Sequence, residues 1–288
     1  MAMKKCLLLL AILLSCNAPS SKKLNSVLVT AAPYAFFVEQ IAGNLVQTEI
    51  LVPAGANPHI YEPTPKQVEK ILQVSAWFRL GEPIEQKILT VMAESAPAIK
   101  IVDLSEGIAL EPALHDTCGQ GHSHESLDRH IWLSPKLAQA QAVRIGETLK
   151  EIYPEHVDVF DRNLKLFLRQ LEELSTEISK ELAPYAGQAI LVSHPAFGYY
   201  CSEFQLKQLS LECEGKDPLP QDVARIVKEA EESKVRVIFT QVQYNNKGTL
   251  LIAERLKMPV HEVDPYAPDY VTNLHHITDL ISHGSDQN

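Results

Sequence analysis

One stretch limits what this chain can fold into more than any other. Between Pro154 and about Tyr185, the residues Val157, Phe160, Leu164, Phe167, Leu171, Leu174, Ile178 and Leu182 recur at steps of three and four. That spacing gathers the apolar side chains into one stripe on a helix. A helix of about 30 residues, rising 1.5 Å per residue, reaches roughly 45 Å, enough to cross a whole domain. Strand-then-helix patterns lie on both sides of it, so we expect a strut joining two lobes.

On the amino-terminal side, short apolar runs at Val27–Ala31, Glu49–Val52, Ala76–Leu80 and Ile99–Val102 read as strands, with helices at Tyr34–Asn44 and Pro65–Ser75. Thr64 is placed to cap the second helix, and proline suits a first helical position. Ser134-Pro135 opens a further helix to about Tyr153. The carboxyl-terminal side repeats the plan, with strands at Ala189–Val192, Lys207–Glu212, Val235–Thr240 and Val260–Val263. Such alternation implies parallel sheets covered on both faces, with ligands at the carboxyl ends of the strands. The expected fold class is α/β: two βα lobes with parallel sheets, joined by one long helix, with a site in the cleft between them. The expected divisions are a signal peptide over 1–15, a tether over 16–25, lobes over 26–153 and 186–288, and the connecting helix over 154–185.

The leader supports an extracytoplasmic destination. Lys4 and Lys5 precede an apolar run, Cys6 to Leu14, that is too short to span a bilayer as a stable helix. Leu13-Leu14-Ser15-Cys16 then resembles a bacterial lipobox, which makes Cys16 the expected lipidation site and membrane anchor. Residues 17–25 are polar, as a tether requires. A net charge of −10 argues against a nucleic-acid partner. Of the remaining cysteines, Cys201 and Cys213 either form one bridge in an oxidising compartment or stay free thiols, and spacing does not choose between them.

Four side chains capable of holding a metal follow short apolar segments. His59 stands in the proline-bracketed loop Asn57-Pro58-His59-Ile60-Tyr61-Glu62-Pro63-Thr64-Pro65. His130 stands in Asp128-Arg129-His130-Ile131-Trp132, His194 follows Ile190-Leu191-Val192-Ser193, and Asp264 follows Val260–Val263, each segment expected to be a short apolar strand with the metal-capable side chain at its end. Each is weak evidence alone. Together they read as one divalent-cation site, with imidazole and carboxylate suited to zinc.

These loops also carry a resemblance over nearly the whole mature chain. Asn57–Pro65, Arg129-His130-Ile131-Trp132-Leu133-Ser134-Pro135, Ser193-His194-Pro195-Ala196-Phe197-Gly198-Tyr199-Tyr200 and Val263-Asp264-Pro265 resemble the four ligand loops of the metal-binding solute-binding proteins of ABC importers, the cluster A-I group with ZnuA and TroA. The resemblance implies two lobes, a single connecting helix and a metal between the lobes. It also implies delivery to an ABC permease with its cytoplasmic ATPase. A histidine at the third position, here His194, resembles the zinc members, whereas manganese members carry glutamate there; Mn2+ or Fe2+ are the alternative cargoes.

His115, His122 and His124, in the stretch 115–125, resemble the His-rich loop of many zinc members. They read either as a weak secondary site or as a solvated loop. A secreted zinc hydrolase is the rival function, but such enzymes keep an open coordination position and a general base. No HExxH and no nucleotide-binding loop occur in the chain. We therefore expect a binding protein rather than an enzyme, and a monomer. A surface adhesin on the same scaffold is a third reading that the sequence neither supports nor excludes.

Overall fold

The computed structural model describes residues 25–95, 98–113, 127–211 and 219–284. The first sheet holds β1 (Ser26–Val29), β2 (Gln47–Ile50), β3 (Ala76–Arg79) and β4 (Lys100–Asp103), in the order β2-β1-β3-β4. The second holds β5 (Ala189–Val192), β6 (Lys207–Ser210), β7 (Val235–Gln241) and β8 (Val260–Val263), in the order β6-β5-β7-β8. Every pairing is parallel. The two sheets share one topology, so each has a switch point where the chain leaves its first strand in one direction and later continues in the other. Open α/β sheets bind ligands in the crevice at such points.

The helices are α1 (Pro33–Ala42), α2 (Pro65–Ile71), α3 (Pro83–Ser95), α4 (Pro135–Ile152), α5 (Val157–Leu182), α6 (Gly198–Glu203), α7 (Pro220–Glu232), α8 (Lys247–Leu256) and α9 (Tyr270–His283). Proline opens α1, α2, α3, α4 and α7, where its missing N–H would have had no partner in the helix anyway. Thr64 caps α2 in a full capping box with Gln67.

The stripe on α5 is buried from Phe160 to Leu182. At 1.5 Å per residue the helix is about 39 Å long. It packs on α1 and α4 along one stretch and on α9 along another. One continuous apolar cluster therefore runs from Val27 and Phe37 in the first sheet's layer, along α5, to Phe239 and Ile281 in the second. Smaller clusters fill the opposite faces, around Trp77 in the first sheet and Ile238 in the second.

A buried carboxylate braces the end of β3. Glu85 accepts hydrogen bonds from Leu80 N (2.8 Å), Gly81 N (2.6 Å) and Thr30 Oγ1 (2.6 Å). Burial pushes its carboxyl up to about 7 in spite of these donors. The folded chain therefore holds this proton more tightly than the unfolded chain, whose ordinary value is 4.5. The contribution is complete below pH 4.5 and is lost as pH rises through 7, to an extent of roughly 3 kcal/mol. Chemical unfolding of metal-free protein at pH 5 and pH 8 should show the wild type losing more stability than Glu85→Gln. Parallel losses in the two proteins would rule this out.

Candidate metal centre

His59 sits nine residues beyond β2 on a loop with its own internal supports. Asn57 Oδ1 accepts from His59 N at 2.9 Å, Ile60 N reaches Asn57 O at 3.3 Å, and Gln67 Nε2 donates to Tyr61 Oη at 2.6 Å. His194 stands two residues beyond the end of β5. Gln241, at the end of β7, accepts from His194 N at 2.6 Å and from Ser193 Oγ at 3.0 Å, which ties the histidine to the switch point of the second sheet. Its ring lies flat on Tyr244, with centroids 3.9 Å apart and planes 8° from parallel.

His130 departs from the strand-end expectation. Asp128–Trp132 forms no strand. His130 instead begins a single 3-10 turn, Ile131–Leu133, that leads into α4. Asp128 Oδ1 accepts from both His130 N (2.9 Å) and His130 Nδ1 (2.7 Å). Gly198 makes room for this carboxylate, because a Cβ there would stand 2.8 Å from Asp128 Oδ2. The glycine of the third loop thus serves the histidine of the second.

The three imidazoles converge, with one nitrogen of each inside a group whose members all lie within 4.8 Å of one another. His59 Nε2 and His194 Nε2 are 3.4 Å apart. Two nitrogens bound to one ion at ~2.0–2.1 Å, at a tetrahedral angle, stand about 3.3 Å apart. His130 and His194 are buried, whereas His59 is exposed at the mouth, so a cation would enter past His59.

Two carboxylates back the imidazoles from behind. Glu82 Oε2 lies 3.0 Å from His59 Nδ1, as Asp128 lies behind His130. Such contacts fix the tautomer, turn the Nε2 lone pair forward and raise ligand basicity. Burial works to raise Glu82, but the hydrogen bond from His59 and the charges of His59, His130 and His194 outweigh it. The carboxyl is held below its ordinary value.

Asp264, expected as the fourth member, is not in this group. Its Oδ1 is engaged by Gln243 Nε2 (2.5 Å) and Tyr266 N (2.8 Å), and its carbonyl accepts from Asn273 Nδ2 (2.9 Å). On the Nε2 side of the histidines it is Tyr266 that brings an oxygen close, its hydroxyl lying 2.9 Å from His130 Nε2. Burial, with Tyr244, Glu82 and Asp128 nearby, raises Tyr266 well above the usual tyrosine value.

The family described as zinc-uptake complex component A, periplasmic (ZnuA), matches residues 27–284. The chain belongs to this family. A protein of Chlamydia muridarum described as metal-binding is 32% identical over 249 residues, covering 86% of this chain and 87% of its own. The high-affinity zinc uptake system protein ZnuA of Yersinia pestis is 27% identical over 288 residues, covering 91% and 89%. A crystal structure of ZnuA superposes with a TM-score of 0.82 at 30% identity, covering 91% of this chain and 99% of that one. ZnuA-family proteins are extracytoplasmic solute-binding receptors rather than enzymes, so this chain is a metal-binding receptor of a zinc-import system.

Sequence reasoning missed Glu82, Asp128, Tyr244 and Tyr266. Glu82 was within reach of the strand-end rule, since it follows β3 as His194 follows β5. Asp128 was marked by its Asp-x-His spacing. Cys16, Cys213, His115, His122 and His124 lie outside the described residues. Cys201 is a buried free thiol among the described residues, and burial pushes it up. No described helix is long and apolar enough to cross a membrane.

Proposed function

We propose that the chain captures one Zn2+ between its lobes through His59, His130 and His194 and delivers it to an ABC permease. The observation that carries this reading is the 3.4 Å approach of two imidazole nitrogens beside a third, two of the rings backed by carboxylates. Three neutral imidazoles favour zinc over manganese, which prefers oxygen donors. Asp264 stays within this proposal as an oxygen donor to the ion, its Oδ1 being held by Gln243 and Tyr266 N. The anchor is lipid on Cys16, which leaves the receptor tethered beside its permease.

The test is a chelator-competition titration of metal-free protein with Zn2+, Mn2+ and Fe2+. The expected result is one tightly held zinc per chain, with manganese and iron bound more weakly. Tighter manganese binding, or no zinc bound at stoichiometric concentration, would overturn the cargo assignment.

A further inference from the structure

We propose that the Tyr266 hydroxyl is an internal competitor for the cargo cation, occupying His130 Nε2 until a metal displaces it. The inference rests on the carrier reading above and adds a residue that sets its affinity.

The argument starts from the proton on His130. Its Nδ1 faces Asp128 Oδ1 at 2.7 Å, so Nδ1 carries the hydrogen and Nε2 presents its lone pair. The Tyr266 hydroxyl, 2.9 Å away, donates to that lone pair. A metal needs the same lone pair. One nitrogen cannot accept the phenol proton and coordinate a cation in the same direction, so loading must break the hydrogen bond.

Tyr266 is held in position from several sides. Its N–H donates to Asp264 Oδ1 at 2.8 Å, its ring packs 5.0 Å from the Trp132 ring, and Trp132 Nε1 donates to Pro265 O at 2.9 Å. Nearby, Tyr270 Oη donates to Trp132 O at 2.7 Å. Trp132 stands two residues after His130 and belongs to the first sheet's half of the chain, whereas Pro265, Tyr266 and Tyr270 belong to the second's. The Tyr266–His130 bond is therefore one of a set of hydrogen bonds that tie the halves together beside the site. A cation arriving at His130 releases that bond, and its departure lets the bond re-form. Tyr266 thereby offsets part of the cost of emptying the site, which a carrier that must release its cargo requires.

A hydrogen bond of this type contributes about 0.5–1.5 kcal/mol net, so its removal should tighten zinc binding by roughly 2- to 12-fold. The experiment compares wild type, Tyr266→Phe and Tyr266→Met. The first variant keeps the ring on Trp132, and the second refills the volume without a hydroxyl. Zinc dissociation constants come from chelator competition, and 15N ring resonances of the metal-free proteins report on His130 directly. The expected result is tighter zinc binding in both variants, with the His130 Nε2 resonance moving toward that of a pyridine-type nitrogen without a hydrogen bond. A change confined to packing would not move that resonance. Unchanged or weaker zinc binding in the variants, beside a tightly binding wild type, would overturn the competition. A wild type that binds no zinc would overturn the carrier reading and this inference with it.

Discussion

His194→Ala should lower zinc affinity by more than about 100-fold while leaving a folded protein. Loss of a partner behind a ligand already costs 10- to 100-fold at metal sites, and loss of the ligand removes a bond to the ion itself. His194 is the member whose ring lies nearest both others, with centroids 5.1 Å from each. Its Nε2 is the nitrogen 3.4 Å from His59 Nε2, and its ring is the surface on which Tyr244 stacks. The backbone at this position is fixed independently, through Gln241 and Ser193, so alanine keeps the loop in place. Competition titration reads the affinity, and the thermal midpoint of metal-free protein reads the fold. An affinity within a few-fold of wild type would mean that the ion, if bound, sits elsewhere.

Phe167→Ala should destabilise the protein by about 3–5 kcal/mol, a large fraction of what holds any domain together. Phe167 is buried on α5 and meets Phe37 edge-on at 5.1 Å and Phe36 at 5.9 Å. Phe37 in turn meets Tyr270 of α9 at 5.0 Å. The cavity would therefore open where α1, α5 and α9 come together, in an apolar cluster that both sheets share. Denaturant unfolding should show the midpoint falling with the slope unchanged, and the zinc stoichiometry of the folded fraction should stay the same. A loss under 1 kcal/mol would show that the layers around α5 close over the gap.

The two predictions address different parts of the sequence. The stripe from Phe160 to Leu182 was legible because helical burial repeats at short, fixed spacing, and α5 ends close to where that stripe ends. The strands β5 and β8 likewise fall where their short apolar runs placed them. His130 was recognised for its residue type and motif, but its setting was misread. Asp128-Arg129-His130-Ile131-Trp132 has a strand's apolar content, yet Asp128 folds back onto the histidine two residues later and makes a turn instead.

The sequence by itself determined the class of fold, the long helix and the three histidines, because periodicity, caps and residue chemistry are local properties. The tertiary structure alone decided which oxygens stand around those histidines. Tyr266 reaches His130 across 136 positions of chain, and Glu82 reaches His59 across 23, while Asp264 turns to Gln243. The first of those approaches depends on how two sheets dock along one helix and the other two on how loops fold back within one sheet's half, and no repeat in the sequence encodes such distances.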